Sequence, residues 1–209
     1  MQMPTSTCFV CNKLFTKREV QLYGYNDCCV SCTYAQATEM EQKRVNPYWV
    51  DLYFEAGIPI RYQHVFASEL SDKATQRAIK AIAEQKALYL CGNVETGKTL
   101  TLAIYAMQLI RFNKKVQFAR LSNLTNELRN DPAKQSSIYK KFCECDHLIL
   151  DDLGTQYDGT GWFTGWLDAV VDFRYSNLKP ISASTNVPEQ VSARVSRRLT
   201  EVCENIKVS

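Results

Sequence analysis

The chain has 209 residues, 45% hydrophobic and 22% charged, with a net charge of +3 at neutral pH, which excludes a disordered polyelectrolyte and allows one substantial core plus a small appendage. No apolar run approaches the roughly 18 residues a spanning helix needs, and the N-terminus lacks the basic-then-apolar layout of a secretory signal, so the expectation is a cytoplasmic protein with no membrane partner. So small a charge cannot hold nucleic acid through the whole-molecule field; DNA contact would need a local patch.

Nine cysteines in such a chain point to metal rather than disulfides, and five fall within the first 32 residues. Cys8-Phe-Val-Cys11 and Cys29-Val-Ser-Cys32 are C-x-x-C pairs about seventeen residues apart, a spacing suited to four thiolates around one Zn²⁺. Cys28 fits the spacing less well. A redox pair is the rival reading, but it needs one C-x-x-C beside a βαβ unit. A zinc-binding module over 1–46 is expected, with a hairpin between the pairs and a helix beginning near Cys32, too small to fold without its metal. A connector follows over 47–86. Pro47 suits the first turn of a helix, Tyr48 to Ala56, that Gly57 stops, and Ser71 caps a second helix over 72–86.

The run Ala87 to Cys91 reads as a short buried strand and leads into Gly92-Asn93-Val94-Glu95-Thr96-Gly97-Lys98-Thr99, a complete G-x-x-x-x-G-K-T loop before an apolar-periodic helix over 98–112. Such a loop turns backbone N–H groups and a helix N-terminus onto phosphates. Lys98 is expected to reach the β- and γ-phosphates of ATP, and Thr99 to offer its hydroxyl to Mg²⁺. A tight surface turn before a helix is the bland alternative. About fifty residues on, His147-Leu-Ile-Leu-Asp151-Asp152 is an apolar strand ending in two carboxylates. Asp151 is expected to hold Mg²⁺ through water and Asp152 to orient or activate the attacking water; alone, the pair would pass for a solvated strand end.

The remaining elements are a strand at 115–120, helices at 123–130 and 134–143, the acidic strand at 147–151, a helix at 162–177, a strand at 180–184, a helix at 188–200 and a last strand near 205–208. This alternation predicts an α/β fold, a five-stranded and mainly parallel sheet flanked by helices, with both motifs at carboxyl strand ends where ligands bind. Cys91, Cys143, Cys145 and Cys203 read as small core or near-surface residues, and His64 and His147 as structural.

From Ala56 to the end, the order of motifs resembles the DnaC/DnaI/IstB group of AAA+ ATPases. The resemblance is carried by Ala56-Gly-Ile-Pro-Ile-Arg-Tyr62, the phosphate loop, Leu148 to Gly154, Phe173-Arg174-Tyr175, Ser184-Thr-Asn186 and Arg194-Val-Ser-Arg197-Arg198-Leu199. It implies a P-loop NTPase core over 87–209 without a lid domain. Asn186 would be the sensor that positions water or reads the γ-phosphate; its plain reading is a turn asparagine before Pro188. Arg198, with Arg197 as competitor, would be an arginine offered to the nucleotide of a neighbouring subunit, so self-association in the ATP state is implied. A solvated basic helix face is the alternative.

The family divides into helicase loaders and transposition helpers, and an N-terminal zinc module resembles the loaders. The expected partner is then a DnaB-type hexameric replicative helicase, and the expected cargo site single-stranded DNA. The helical segment 122–144, with Arg129, Lys134, Tyr139, Lys140 and Lys141, is the candidate DNA contact, diluted by Glu127, Asp131 and Glu144. Two features depart from the family pattern: Glu95 stands where many members have glycine, and Asp152 where AAA+ proteins often use glutamate. Both favour a slow ATPase acting as a switch. The rival functions are a duplex-DNA transposition helper and a nucleotide-stabilised binding module without turnover.

Overall fold

The computed structural model describes residues 5–7, 14–16, 47–63, 84, 86–155 and 161–208. Near the N-terminus β1 (Thr5–Thr7) pairs antiparallel with β2 (Leu14–Thr16), Thr5 opposite Thr16, so a ladder flanks the first cysteine pair in sequence. Cys8, Cys11, Cys29 and Cys32, the hairpin expected between the pairs and the helix expected over 72–86 lie outside the described residues.

The core begins with α1 (Pro47–Glu55) and a 3-10 turn at Ile60–Tyr62. Then follow β3 (Leu88–Gly92), α2 (Lys98–Arg111), β4 (Val116–Arg120), α3 (Leu121–Asn130), α4 (Lys134–Glu144), β5 (His147–Leu153), α5 (Trp162–Ser176), β6 (Ile181–Thr185), α6 (Ala193–Val202) and β7 (Glu204–Val208). The five core strands form one parallel sheet in the order β4-β5-β6-β3-β7. The predicted alternation is therefore present, with two shifts. The final helix starts at Ala193 rather than 188, because Pro188–Gln190 makes a separate 3-10 turn and Ser192 caps the helix by accepting from Val195 N. The acidic strand runs on to Leu153 because it bulges rather than ends.

Alternate strand residues face opposite layers, as the pleat requires. Leu88, Leu90, Val116, Phe118, Ile149, Ile206 and Val208 pack against α1 and α2. Tyr89, Ala119, Leu148, Leu150, Ile181 and Ala183 pack against the α3 to α6 side. The opening segment is tied to the sheet edge by Phe118 N donating to Ala56 O at 2.7 Å. Among the described residues no helix is long and apolar enough to cross a membrane.

Two buried polar devices hold the layers. Arg174, fully buried, donates to the carbonyls of Phe142 (2.6 Å), Cys145 (3.0 Å), Asp146 (3.2 Å) and Pro180 (2.8 Å). It thereby satisfies the carboxyl end of α4 and the leads into β5 and β6, where a cation also suits the helix dipole. At the amino edge of the sheet, Ser182 Oγ accepts from Leu88 N (2.9 Å) and bonds His147 Nε2 (2.8 Å), whose ring meets Tyr105 edge-on at 5.1 Å. Burial holds the His147 pKa down at about 3, with the Arg174 charge adding to it. The folded state keeps this imidazole neutral while the unfolded state protonates near 6.5, so its contribution is fully present above 6.5 and is lost as pH falls toward 3. His147→Gln should remove about 2 kcal/mol of the stability loss between pH 7 and pH 5, read from urea unfolding of both proteins at the two pH values.

Candidate nucleotide site

The phosphate loop leaves β3 at Gly92 and enters α2 at Lys98. Gly92 is required by crowding, since a Cβ there would stand 1.9 Å from Val208 O on β7. Gly97 is required by conformation, with φ at 78° and open space around it. Lys98 is 6% exposed, and its ammonium is turned into the loop, donating to Gly92 O at 2.9 Å, to Asn93 O, and to Thr96 Oγ1 at 3.2 Å. Burial lowers its pKa, while Asp152 and Asp151 act in the other direction. Glu95 is solvent-exposed and sits in the left-handed region at φ 66°. Asn93 and Val94 are exposed as well.

The strand order brings β6 between β3 and β5, so loop, acids and Asn186 issue from three adjacent strand ends. Leu150 pairs with Ala183 and Leu153 with Thr185, leaving Asp151 and Asp152 together opposite Ser184. This is a β-bulge, and Asp152 has φ 62°. Consecutive residues of a regular strand would face opposite sides of the sheet; here both carboxylates reach one guanidinium. Arg120 Nε lies 3.2 Å from Asp152 Oδ2 and 3.7 Å from Asp151 Oδ2.

Ser184 organises the bulge. Its Oγ donates to Asp151 Oδ1 at 2.6 Å and accepts from Asp152 N at 3.1 Å. Thr99 Oγ1 donates to the same Asp151 oxygen at 3.1 Å, joining the loop helix to the acidic strand. Asp151 is fully buried, and its Oδ2 has no hydrogen-bond partner. Burial raises its pKa, Asp152 adds to the rise, and the Ser184 and Thr99 bonds oppose it. A buried carboxylate with one oxygen free of hydrogen bonds and only 3.7 Å from Arg120 Nε, beside a threonine hydroxyl at the first turn of the loop helix, is a donor set that fits a hard divalent cation such as Mg²⁺. Asn186 Oδ1 is likewise buried without a partner.

The loop helix and the two acids are thus joined through Thr99 and Ser184, and Asn186 follows the end of the strand between them. Arg198 does not join them within one chain. Its Nη2 is paired with Asp172 Oδ1, and its guanidinium lies 5.4 Å from the Tyr175 ring centre. Arg197, the competitor, is exposed. In the basic segment, Lys134 pairs with Glu127 at 2.8 Å, Lys140 lies 3.8 Å from Glu144, and Tyr139 packs edge-on to Trp166. A groove of about 630 Å³ runs beside β4, with Arg120, Lys134 and Lys141 on its walls and Phe118, Leu124 and Phe142 among its apolar lining.

Among the described residues no group of three or more His, Cys, Asp or Glu could hold a metal on its own; the Mg²⁺ donor set draws on a hydroxyl and one carboxylate. Arg120 and Ser184 were not legible as site residues. Ser184 belongs to a segment singled out for Asn186, and Arg120 is visible only through register, as the β4 partner of Asp151. Ser184→Ala should weaken Mg²⁺-dependent nucleotide binding about tenfold or more while leaving Mg²⁺-free binding nearly unchanged, measured by titrating a fluorescent ATP analogue with and without chelator. Glu95→Gly should relieve left-handed strain of about 1 kcal/mol, seen as a higher urea midpoint without nucleotide.

Residues 59–160, just under half of the chain, match the family described as IstB-like ATP binding protein. The phage-like element PBSX protein XkdC of Bacillus subtilis (strain 168) is 28% identical over 134 residues, 59% of this chain and 50% of that one, so the chain spans half the length of this curated relative. Among solved structures, the DnaC helicase loader is 20% identical with a TM-score of 0.62, covering 72% of this chain and 100% of that one. DnaI is 22% identical with a TM-score of 0.57, covering 67% and 87%. Residues 59–160 are thus similar to an IstB-like ATP binding protein, and the parallel five-stranded core shares its fold with the DnaC helicase loader and DnaI.

Proposed function

We propose that the chain is an ATP-dependent helicase loader: a hexameric replicative helicase is bound through a zinc module over 1–46 and delivered to single-stranded DNA. In this arrangement 47–86 is the connector and 87–209 the ATPase core. The observation that carries the nucleotide half is the Thr99–Asp151 bond, with the second Asp151 oxygen making no hydrogen bond. The loader half is supported by the likeness in fold to a protein named as a helicase loader and by the paired spacing of Cys8, Cys11, Cys29 and Cys32.

Bound with ATP, Mg²⁺ would neutralise charge on the phosphates from a site held by Thr99 and Asp151. Lys98 would exchange its bonds to Gly92 O and Asn93 O for phosphate oxygens, a replacement of acceptors already desolvated by the loop. Asp152 would take the proton from the attacking water, Asn186 would orient that water, and Arg198 of another copy would meet the charge that develops as the γ-phosphoryl group leaves for water. The Arg120 pairing restrains Asp152, and the aspartate side chain is short; both favour slow turnover, suited to a release switch. The groove with Arg120, Lys134 and Lys141 supports a phosphate-backbone contact for the DNA.

The matched family segment favours a second reading, a transposition helper acting on duplex DNA; hydrolysis stimulated by duplex rather than single strands would select it. Lys98→Ala should abolish ATP binding, and Asp152→Asn should retain ATP while slowing hydrolysis by 10²-fold or more, about the span of a lost general base. In a pull-down against the host's replicative helicase with ATP and Mg²⁺, the full chain should bind and a chain lacking 1–46 should not. Failure of the full chain to bind would overturn the loader reading.

A further inference from the structure

Helix α5 faces α6 with a stripe at helical spacing, Asp168, Asp172 and Tyr175, and each member engages the α6 side. Ser192 Oγ, the cap of α6, donates to Asp168 Oδ1 at 2.7 Å. Arg198 Nη2 donates to Asp172 Oδ1. Tyr175 Oη donates to Glu201 Oε1 at 2.8 Å, and the same ring lies under the Arg198 guanidinium at 5.4 Å. The Arg198 side chain is only 20% exposed, and its Nη1 is buried without a hydrogen-bond partner. It borders a depression of about 500 Å³ lined by Tyr175, Ala193, Arg194, Arg197, Arg198 and Glu201.

A long arginine offered to an anion normally loses its rotamer freedom on binding. Here that freedom is already gone. The aromatic face and the carboxylate hold the guanidinium from two sides, with Nη1 turned inward and the rest of the side chain bordering the depression. Three arginines, Arg194, Arg197 and Arg198, around one open depression are suited to phosphate oxygens.

We propose that Asp172 and Tyr175 are positioning residues that pre-set Arg198 for the nucleotide held by a second copy of this chain. The inference rests on the reading of Arg198 as acting between subunits. Their effect must therefore appear in the subunit that donates the arginine and not in the subunit that holds the nucleotide.

The test is complementation between full-length chains. Lys98→Ala supplies an intact arginine but no nucleotide site; Arg198→Ala supplies the site but no arginine. Their mixture should recover turnover that neither shows alone. Adding Asp172→Ala to the Lys98→Ala chain should lower the kcat of the mixture about tenfold or more with KM for ATP unchanged, and adding it to the Arg198→Ala chain should lower it far less. Tyr175→Ala in the donating chain should reproduce the loss, and Tyr175→Phe, which keeps the ring, should lose less. Self-association driven by a non-hydrolysable ATP analogue, followed by sedimentation, should shift in the same donor-specific way. Equal losses in both positions, or a gain in the donating chain, would overturn the positioning role while leaving Arg198 in place. Full turnover by Arg198→Ala alone, or no recovered turnover together with no nucleotide-driven self-association, would overturn the reading of Arg198 and the inference with it.

Discussion

Strand β6 carries hydroxyls where a central strand is ordinarily apolar, and each buried hydroxyl must find a partner. Ser182, Ser184 and Thr185 are all fully buried. Ser182 ties β3 to β5 through Leu88 N and His147; Ser184 holds the Asp151–Asp152 bulge; Thr185 Oγ1 donates to Leu153 O at 2.7 Å and accepts from Val187 N at 3.1 Å, closing the strand end. Phosphate loop and acids come from strands that do not touch, so their separation is set by the strand between them. The hydroxyl ladder of β6 converts that separation into a fixed distance, and the Thr99–Asp151 bond spans it.

The two buried cations, Arg174 and Lys98, donate to backbone carbonyls rather than to carboxylates. Arg174 is the clearest case, a buried cation held by four carbonyls at the carboxyl end of one helix and at two strand starts. Lys98 follows the same rule in miniature, its ammonium lodged on loop carbonyls. Carbonyls are weaker partners for a cation than an ionised oxygen, so both groups stay charged without being neutralised. For Arg174 the result is a rigid joint; for Lys98 it is a cation ready to exchange partners.

Much of this architecture was legible in the chain itself, because it rests on local signals. The G-x-x-x-x-G-K-T spacing needs no tertiary partner to be recognised, and the run His147 to Asp152 shows an apolar strand meeting two acids. Helix and strand alternation followed from periods of 3.6 and 2. What escaped was register. The bulge at Asp151–Asp152 exists only relative to β6, and Arg120 acquires meaning only opposite Asp151, thirty-one residues later in sequence. Ser192 also stood unread as a cap, since Pro188 offered an earlier start for the helix. The pairing of Arg198 with Asp172 belongs to the same class, a contact between two helices brought together by the strand between them.

The close approach of Gly92 to Val208 has a mechanical meaning. The first residue of the loop and the last residue of the outer strand share one backbone contact, with no side chain between them to cushion movement. Among the described residues strand β7 pairs on one side only, with β3, while β3 is paired on both sides. Any shift of β7 would therefore bear directly on the backbone of Gly92, whose carbonyl is an acceptor that Lys98 holds. The outer strand and the phosphate loop thus share one backbone seam, so the cradle can be no better fixed than the strand beside it.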